Sequence, residues 1–298
     1  MKPVKKIMGL LFAVLTIGTL MWGRNRFDYD DPMLYVWQFV TIAEAFVCFL
    51  CFVPCKNREL AKNKKGKLSK RTLFSILFVA VAIPATVFCG IYLLGDRKYY
   101  FISLLIIFET IIPFLVNFEG KKPNAREIVI ISILCAIGVA GRGLFSMIPQ
   151  FKPVLAIVII SGVCFGGETG FLVGAVTAFV SNFFFGQGNW TPWQMFCFGI
   201  VGFAAGIIFN KGVLKLNKIS LCVYGFLSSV ILYGGIINFG NTLMYMPYPN
   251  KEAIINSYIM GFPLDFLLGI STVFFLWFMA EPMIEKLERI KQKYGLLK

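Results

Sequence analysis

The sequence contains no histidine among its 298 residues. It therefore lacks the side chain that enzymes most often use as a general base and that zinc sites often use as a ligand. The GxxxxGK[ST] phosphate loop, the GxSxG nucleophile elbow and the HExxH helix are absent as well. We therefore expect no ATPase activity, no catalytic residue and no cofactor in this chain.

Cysteine chemistry is not indicated either. The eight cysteines lie mostly within apolar runs, where a thiol acts as a small apolar filler. Cys48, Cys51 and Cys55 have the spacing of metal ligands, but they begin inside an apolar run and no histidine can complete a site. We expect neither a disulfide nor a bound metal.

Charge is scarce: 15% of the residues are charged and 58% are hydrophobic, with a mean hydropathy of +0.76. This composition excludes ordinary soluble domains and is typical of multi-span membrane proteins. Because a span needs about 20 apolar residues, the sequence predicts an all-α integral membrane protein with about ten transmembrane helices. They lie near residues 7–22, 33–54, 72–95, 100–118, 128–145, 154–167, 169–185, 193–209, 219–237 and 256–280.

The net charge of +14 reflects where the basic residues stand. With the amino terminus inside, 22 of the 29 lysines and arginines fall in predicted cytoplasmic segments. This is the positive-inside asymmetry. We predict a multi-pass protein of the cell membrane with both termini cytoplasmic, which contacts the lipid bilayer and no nucleic acid.

The segment "EGKKPNARE" (119–127) breaks the apolar runs with charge and a proline. We predict a four-span N-terminal region of unknown role (1–118), a charged cytoplasmic linker (119–127) and a six-span domain (128–298). In the first region, Glu44 and Glu109 lie within spans, where a carboxylate serves either a proton relay or a hydrogen bond between helices.

Small residues recur at every fourth position in the six-span domain. In lipid, such ladders let helix backbones approach closely. Spacing alone leaves open whether a ladder faces the same chain or another subunit, and internal packing is the simpler interpretation. The ladders comprise Ala136 and Ala140; Gly166, Gly170, Gly174 and Ala178; and Gly202 and Gly206.

A polar stretch, "SNFFFGQGNWTPWQM" (181–195), joins the seventh and eighth spans. Its tryptophans alone fit an interfacial aromatic belt. Its amides and hydroxyls, with glycines that let the backbone bend, suit a site for an uncharged or zwitterionic polar ligand. The segments "SMIPQFKP" (146–153) and "NFGNTLMYMPYPNKE" (238–252) lie on the same predicted outer face, so we predict a capped, outward-facing pocket. The predicted substrate-binding residues are Arg142, Asn182, Gln187, Asn189, Trp190, Thr191, Trp193, Gln194, Asn241 and Tyr245.

Arg142 falls inside a predicted span, where an unpaired arginine is costly. Asp265, in the last predicted span, is a candidate partner for a structural salt bridge. Alternatively, Arg142 holds an anionic group of the ligand.

The sequence resembles the membrane-embedded S components of energy-coupling factor (ECF) vitamin transporters, with the greatest likeness to their cobalamin-linked subgroup. The likeness is carried by "GRGLF" (141–145), "GFLVGAVTAFVSNFFFGQG" (170–188) and "WTPWQMF" (190–196). The resemblance implies a six-helix bundle with a ligand pocket under three outer loops. It also implies a non-enzymatic subunit that binds a vitamin, with cobalamin as the first expectation.

The same resemblance implies partners. In this family the first helix of the bundle docks on a transmembrane T component through an alanine-x-x-x-alanine seam, which here corresponds to Ala136 and Ala140. Two ATPase subunits complete the importer and supply the ATP hydrolysis that this chain lacks. Reorientation of the S component would then deliver the substrate inward.

Two other functions remain open on sequence grounds. A proton-coupled secondary transporter would use Glu44, Glu109, Arg142 and Asp265 as its relay. An integral-membrane transferase would use "DYDD" (28–31), with Asp28 and Asp31 as its acidic residues.

Overall fold

A computed structural model of the protein describes residues 125–188, 190–245 and 250–294, together with a few residues between 10 and 41. The described residues fall in two compact units, one within residues 1–57 and one within 58–298. In the first unit, residues 13–19 are helical.

Several predictions concern residues outside the described part. The predicted spans between residues 72 and 118, the cysteine triplet, the "DYDD" motif and most of the linker belong there. So do Glu44, Glu109 and Asn189.

The described residues of the second unit form helices and contain no strand, which confirms the all-α prediction for this part of the chain. A π-helical segment, Ser228–Tyr233, joins the helix Lys218–Leu227 to the helix Gly234–Tyr245, so that Lys218–Tyr245 is one continuous span. The helices are α1 (Ala125–Leu144), α2 (Val154–Phe165), α3 (Gly167–Phe185), α4 (Trp190–Asn210), α5 (Lys218–Leu227), α6 (Gly234–Tyr245) and α7 (Lys251–Tyr294).

Five candidate spans are long and apolar enough to cross a membrane within the described residues. They are α1, α3, α4, the continuous α5–α6 span and α7, and the short helix α2 lies between the first two. This order agrees with the six spans predicted after residue 127. The full count of ten stays a prediction.

Helix α2 is unusual because it has 12 residues and every one of them is buried. It starts after Pro153 and stops at Gly166, whose φ of 96° favours glycine. At 1.5 Å per residue its length is about 18 Å, whereas the hydrocarbon is about 30 Å thick. At the other end of α2, the Cys164 carbonyl oxygen accepts a hydrogen bond of 2.6 Å from Lys291 Nζ, in the predicted cytoplasmic part of α7. The shortfall in length therefore falls at the amino end of α2, where the connection from α1 arrives.

Glycines bring α2, α3 and α4 into backbone contact. A Cβ atom added to Gly170 of α3 would lie 2.6 Å from the Gly162 Cα of α2 and 2.6 Å from the Gly202 oxygen of α4. A Cβ on Gly206 would collide with the backbone of Gly167. These ladders therefore face the interior, as expected for seams that need small residues.

Helix α7 runs antiparallel to the α5–α6 span. The Ser229 hydroxyl donates to Thr272 Oγ1 at 3.1 Å, and a Cβ on Gly225 would meet the Leu276 side chain at 2.5 Å. Toward the other end of this pair, a Cβ on Gly234 would meet Asp265. Helix α7 therefore packs against both the α5 part and the α6 part of this span.

Two boundaries correct the sequence analysis. Helix α4 begins at Trp190, so Trp190 and Thr191 lie in its first turn and not in a loop. Pro192 is tolerated there because first-turn N–H groups have no intrahelical acceptor. Similarly, Asn241 and Tyr245 belong to α6 and not to an outer loop.

We expect Gly202→Ala to destabilise the protein, because the new methyl group would meet the Gly170 carbonyl carbon at 2.7 Å. Overpacking of this kind costs about 1–3 kcal/mol, so the thermal midpoint (Tm) of the purified protein should fall by several degrees. Gly143→Ala is the matched control, since nothing lies within 4 Å of its added Cβ. A Gly202→Ala protein that melts with or above the wild type would contradict this packing.

Candidate functional site

Arg142, in the last turn of α1, points into a polar cluster on α3. Its Nη1 donates to Ser181 Oγ at 2.6 Å and to Asn182 Oδ1 at 2.7 Å. The guanidinium also lies 4.9 Å from the centre of the Phe185 ring, which adds a cation–π contact. All three partners are neutral, and no ion pair of Arg142 with an acidic side chain occurs among the residues that the structure describes.

Asn182 connects this arginine to helix α4. The residue is fully buried, and its Nδ2 donates to Thr191 Oγ1 at 3.1 Å and to Gln194 Oε1 at 2.9 Å. Thr191 in turn donates to Gln187 Oε1 at 2.9 Å and accepts from the Gly188 N–H. A continuous network therefore links the ends of α1, α3 and α4.

A second group of polar residues lies between α6 and α7. Asp265 accepts a hydrogen bond of 2.7 Å from Asn238 Nδ2. The carbonyl oxygen of Asn238 accepts from Ser257 Oγ at 2.8 Å. Arg142 and Asp265 do not form an ion pair with each other, and each is hydrogen-bonded to neutral side chains. Of the two interpretations of Arg142 that the sequence left open, the salt bridge is not found.

Tyr233 links the two groups. Its side chain lies near Gln194 of α4 and also near Asp265 and Arg142. Its ring stacks on Phe198 of α4 with centroids 5.4 Å apart. Tyr233 ends the π-helical segment, and such segments often occur at functional sites.

The connection between α1 and α2 is tied into the bundle at Lys152. Its N–H donates to Ser271 Oγ at 2.8 Å, and the same hydroxyl donates to its carbonyl oxygen at 3.1 Å. Next to it, the Phe151 ring lies 5.2 Å from Phe275. Helix α7 therefore fixes the backbone of this connection.

Two buried polar atoms near these groups have no hydrogen-bond partner within the described structure. They are the indole Nε1 of Trp193 and Oε1 of Gln150. Trp193 is 5% exposed, and its ring packs against Gly240 of α6. Unpartnered buried donors and acceptors are rare, and both atoms are available to a ligand.

The structure brings six of the ten predicted site residues into this region: Arg142, Asn182, Gln187, Thr191, Trp193 and Gln194. Trp190 contacts Gly188 but is 39% exposed. Tyr245 is 63% exposed, and no hydrogen bond or ring contact described here joins it or Asn241 to the network.

Several residues of the network escaped the sequence analysis. Ser181 is adjacent to Asn182 and could have been found from that position. Asn238 and Lys152 stand within the polar segments singled out on the predicted outer face. Tyr233 could not be identified as a site residue from the sequence, because the π-helical segment that positions it has no signature in a single sequence.

Ala136 and Ala140 lie outside the network, on the exposed side of α1. Together with α3 they form a shallow apolar groove of about 630 Å³. The groove is lined on α3 by Leu172, Val176, Val180 and Phe184.

No metal cluster of three or more histidine, cysteine, aspartate or glutamate side chains occurs among the residues that the structure describes. The four described cysteines, Cys135, Cys164, Cys197 and Cys222, are free thiols.

Comparison with known families gives a match over residues 122–280 to the family described as "ECF-type riboflavin transporter, S component". The chain is also similar to a UPF0397 protein of Aliivibrio fischeri, with 29% identity over 51% of this chain and 89% of that protein. A UPF0397 protein of Vibrio atlanticus is 29% identical over 40% of this chain and 69% of its own length. No solved structure matches the chain.

We expect Asn182→Leu to destabilise the protein by about 3 kcal/mol, because it removes buried hydrogen bonds to Arg142, Thr191 and Gln194 at once. The measurement is the Tm of the purified protein. Asn210→Leu, at the exposed end of α4, is the matched control and should leave the Tm within one or two degrees of the wild type. If the two variants have the same Tm, the network does not stabilise the protein.

Proposed function

The chain belongs to the family of S components of ECF-type riboflavin transporters, and from that premise we propose that it is the substrate-binding membrane subunit of a vitamin importer. A transporter subunit of this kind performs no chemistry on its substrate. The six-span part of the chain would hold the ligand, and partner subunits would supply the energy.

The observation that carries this proposal is the network from Arg142 through Asn182 to Gln194. Amide and hydroxyl groups from three helices converge at the end of the bundle where α1, α3 and α4 meet. Trp193 adds an aromatic face and a free N–H. A mostly apolar cavity with a few convergent polar groups is the usual form of a small-molecule site.

The identity of the vitamin rests on two different indications. The sequence resemblance favours cobalamin, whereas the family that matches is named for riboflavin. The match supports an S component and does not support the cobalamin-linked subgroup in particular. Both compounds therefore belong in the binding assay, and riboflavin takes precedence.

Membership in the family implies association with a T component and ATPase subunits. The groove at Ala136 and Ala140 is our proposed docking face for the T component. In support, α1 is the least buried of the candidate spans, with 33% of its apolar window buried. Small residues in a groove allow another helix to approach closely.

The orientation follows from charge. The positive-inside asymmetry places the ends of α1, α3 and α6 on the outer face and both termini in the cytoplasm. In this orientation the network faces the exterior, where a nutrient is captured. Release would then require a reorientation driven by the ATPases.

Uptake should depend on the partners. In proteoliposomes, we expect accumulation of labelled riboflavin or cobalamin only when the chain is assembled with a T component and ATPases and when ATP is inside the vesicle. A partner ATPase that lacks its phosphate-loop lysine is the control. Uptake by the chain alone, abolished by an uncoupler, would instead establish proton coupling.

Docking should depend on the groove. We expect Ala136→Trp combined with Ala140→Trp to abolish co-purification of the T component, because the rings fill the groove, while the Tm and ligand binding are retained. Ile133→Trp is the matched control: it adds bulk to an exposed position of α1 that does not line the groove. If the double variant co-purifies with the T component as well as the wild type does, the groove is not the docking surface.

A further inference from the structure

Lys152 is held at an unusual place for a lysine. Because α2 has 12 residues, the segment before it lies within the thickness of the membrane. Both backbone polar groups of Lys152 bond to the hydroxyl of Ser271, which is fully buried. The starting point of the side chain is thus fixed inside the bundle.

The ammonium group of Lys152 has no hydrogen bond or ion pair in the described part of the chain. The ion pairs found there, Lys218–Glu281 and Lys291–Glu288, involve other lysines. The charge that acts most on Lys152 is Arg142, which is also a cation. Asp265 is bonded to Asn238 and forms no ion pair with Lys152.

The two cations belong to neighbouring stretches of backbone. A Cβ on Gly141 would collide with the Pro153 ring, so the residues next to Arg142 and Lys152 are in contact. The Lys152 side chain retains intermediate surface exposure. This exposure fits an ammonium that reaches water, since irregular backbone at membrane depth is tolerated where it lines a water-filled space.

We propose that the ligand of this site is an organic anion, whose carboxylate or phosphate group binds between Lys152 and Arg142. This inference rests on the proposed function and names the chemical class of the substrate. Lys152 contributes a point charge, and Arg142, oriented by Ser181 and Asn182, contributes its remaining N–H donors. The uncharged ligand suggested by the amides alone does not account for two uncompensated cations.

A structural role for Lys152 and a ligand-binding role predict opposite effects of its removal on the stability of the ligand-free protein. A lysine that stabilised the fold would have an acceptor or a counter-ion, as Lys218 has in Glu281 at 3.3 Å. An uncompensated cation destabilises the ligand-free protein and is retained because an anion compensates it.

The first measurement requires no ligand. At pH 7 we expect Lys152→Met to raise the Tm of the purified, ligand-free protein by roughly 3 °C or more. Lys218→Met, which removes a paired lysine, should not raise the Tm.

The second measurement uses matched probes: flavin mononucleotide with riboflavin, pantothenate with pantothenol, biotin with biotinamide, and inorganic phosphate with chloride. For each organic pair that binds, we expect the anionic member to bind at least about tenfold more tightly than the neutral one. For the inorganic pair, we expect phosphate to raise the Tm and chloride to leave it unchanged. Lys152→Met should abolish this preference and Lys152→Arg should keep it.

The proposal is overturned if Lys152→Met leaves the Tm unchanged or lowers it, if neutral members bind as tightly as anionic ones, or if no anionic probe changes the Tm. These results are separable from the proposed function. ATP-dependent uptake of a neutral vitamin would retain the importer and reject the anion site. Lys152-dependent anion binding, combined with uptake that proceeds without the ATPase partners, would do the reverse.

Discussion

A helix of 12 residues cannot cross a bilayer, and the interior of this protein is arranged around that constraint. Because the carboxyl end of α2 is tied to Lys291, the chain that precedes α2 has to make up the missing length, and its backbone has only a few turn hydrogen bonds, such as Phe151 N–H to Ile148 O. In lipid such backbone would be unsatisfied, so it has to be enclosed by protein. Ser271 of α7 supplies both a donor and an acceptor to Lys152 and thereby satisfies the backbone at this depth.

The close packing of α2 with its neighbours makes this enclosure possible. Gly162, Gly170 and Gly202 allow three backbones to meet where any side chain would separate them. Hydrophobic attraction between helices is weak in lipid, so this contact relies on van der Waals packing. A rigid α2–α3–α4 unit results, and the ends of α3 and α4 carry Asn182, Thr191 and Gln194 into hydrogen-bond range of one another.

The sequence predicted the spans of this domain well and its interior only in part. Runs of apolar residues fixed the order of helices after residue 127, and the amides between Asn182 and Gln194 identified the main network. Distances between helices are not encoded in spacing, so the sequence left Asp265 open as a partner of Arg142, although each residue bonds to a different neutral partner. Lys152 belongs to the predicted outer segment 146–153 but was not among the predicted ligand-binding residues, because its position depends on how short α2 is relative to α7.

Helix α1 contributes to both sides of the bundle. Its outer side presents Ala136 and Ala140 in the groove with α3, while Arg142, less than two turns further along, bonds to Ser181 and Asn182 on α3. The groove and the hydrogen bonds of Arg142 both lie between α1 and α3. A partner that shifts α1 relative to α3 must therefore either break the Arg142 bonds or move Asn182 together with Arg142. Asn182 is also bonded to α4, so the second outcome would distort the network. A displacement of α1 against α3 would therefore reach the polar network through the hydrogen bonds of Arg142 and Asn182.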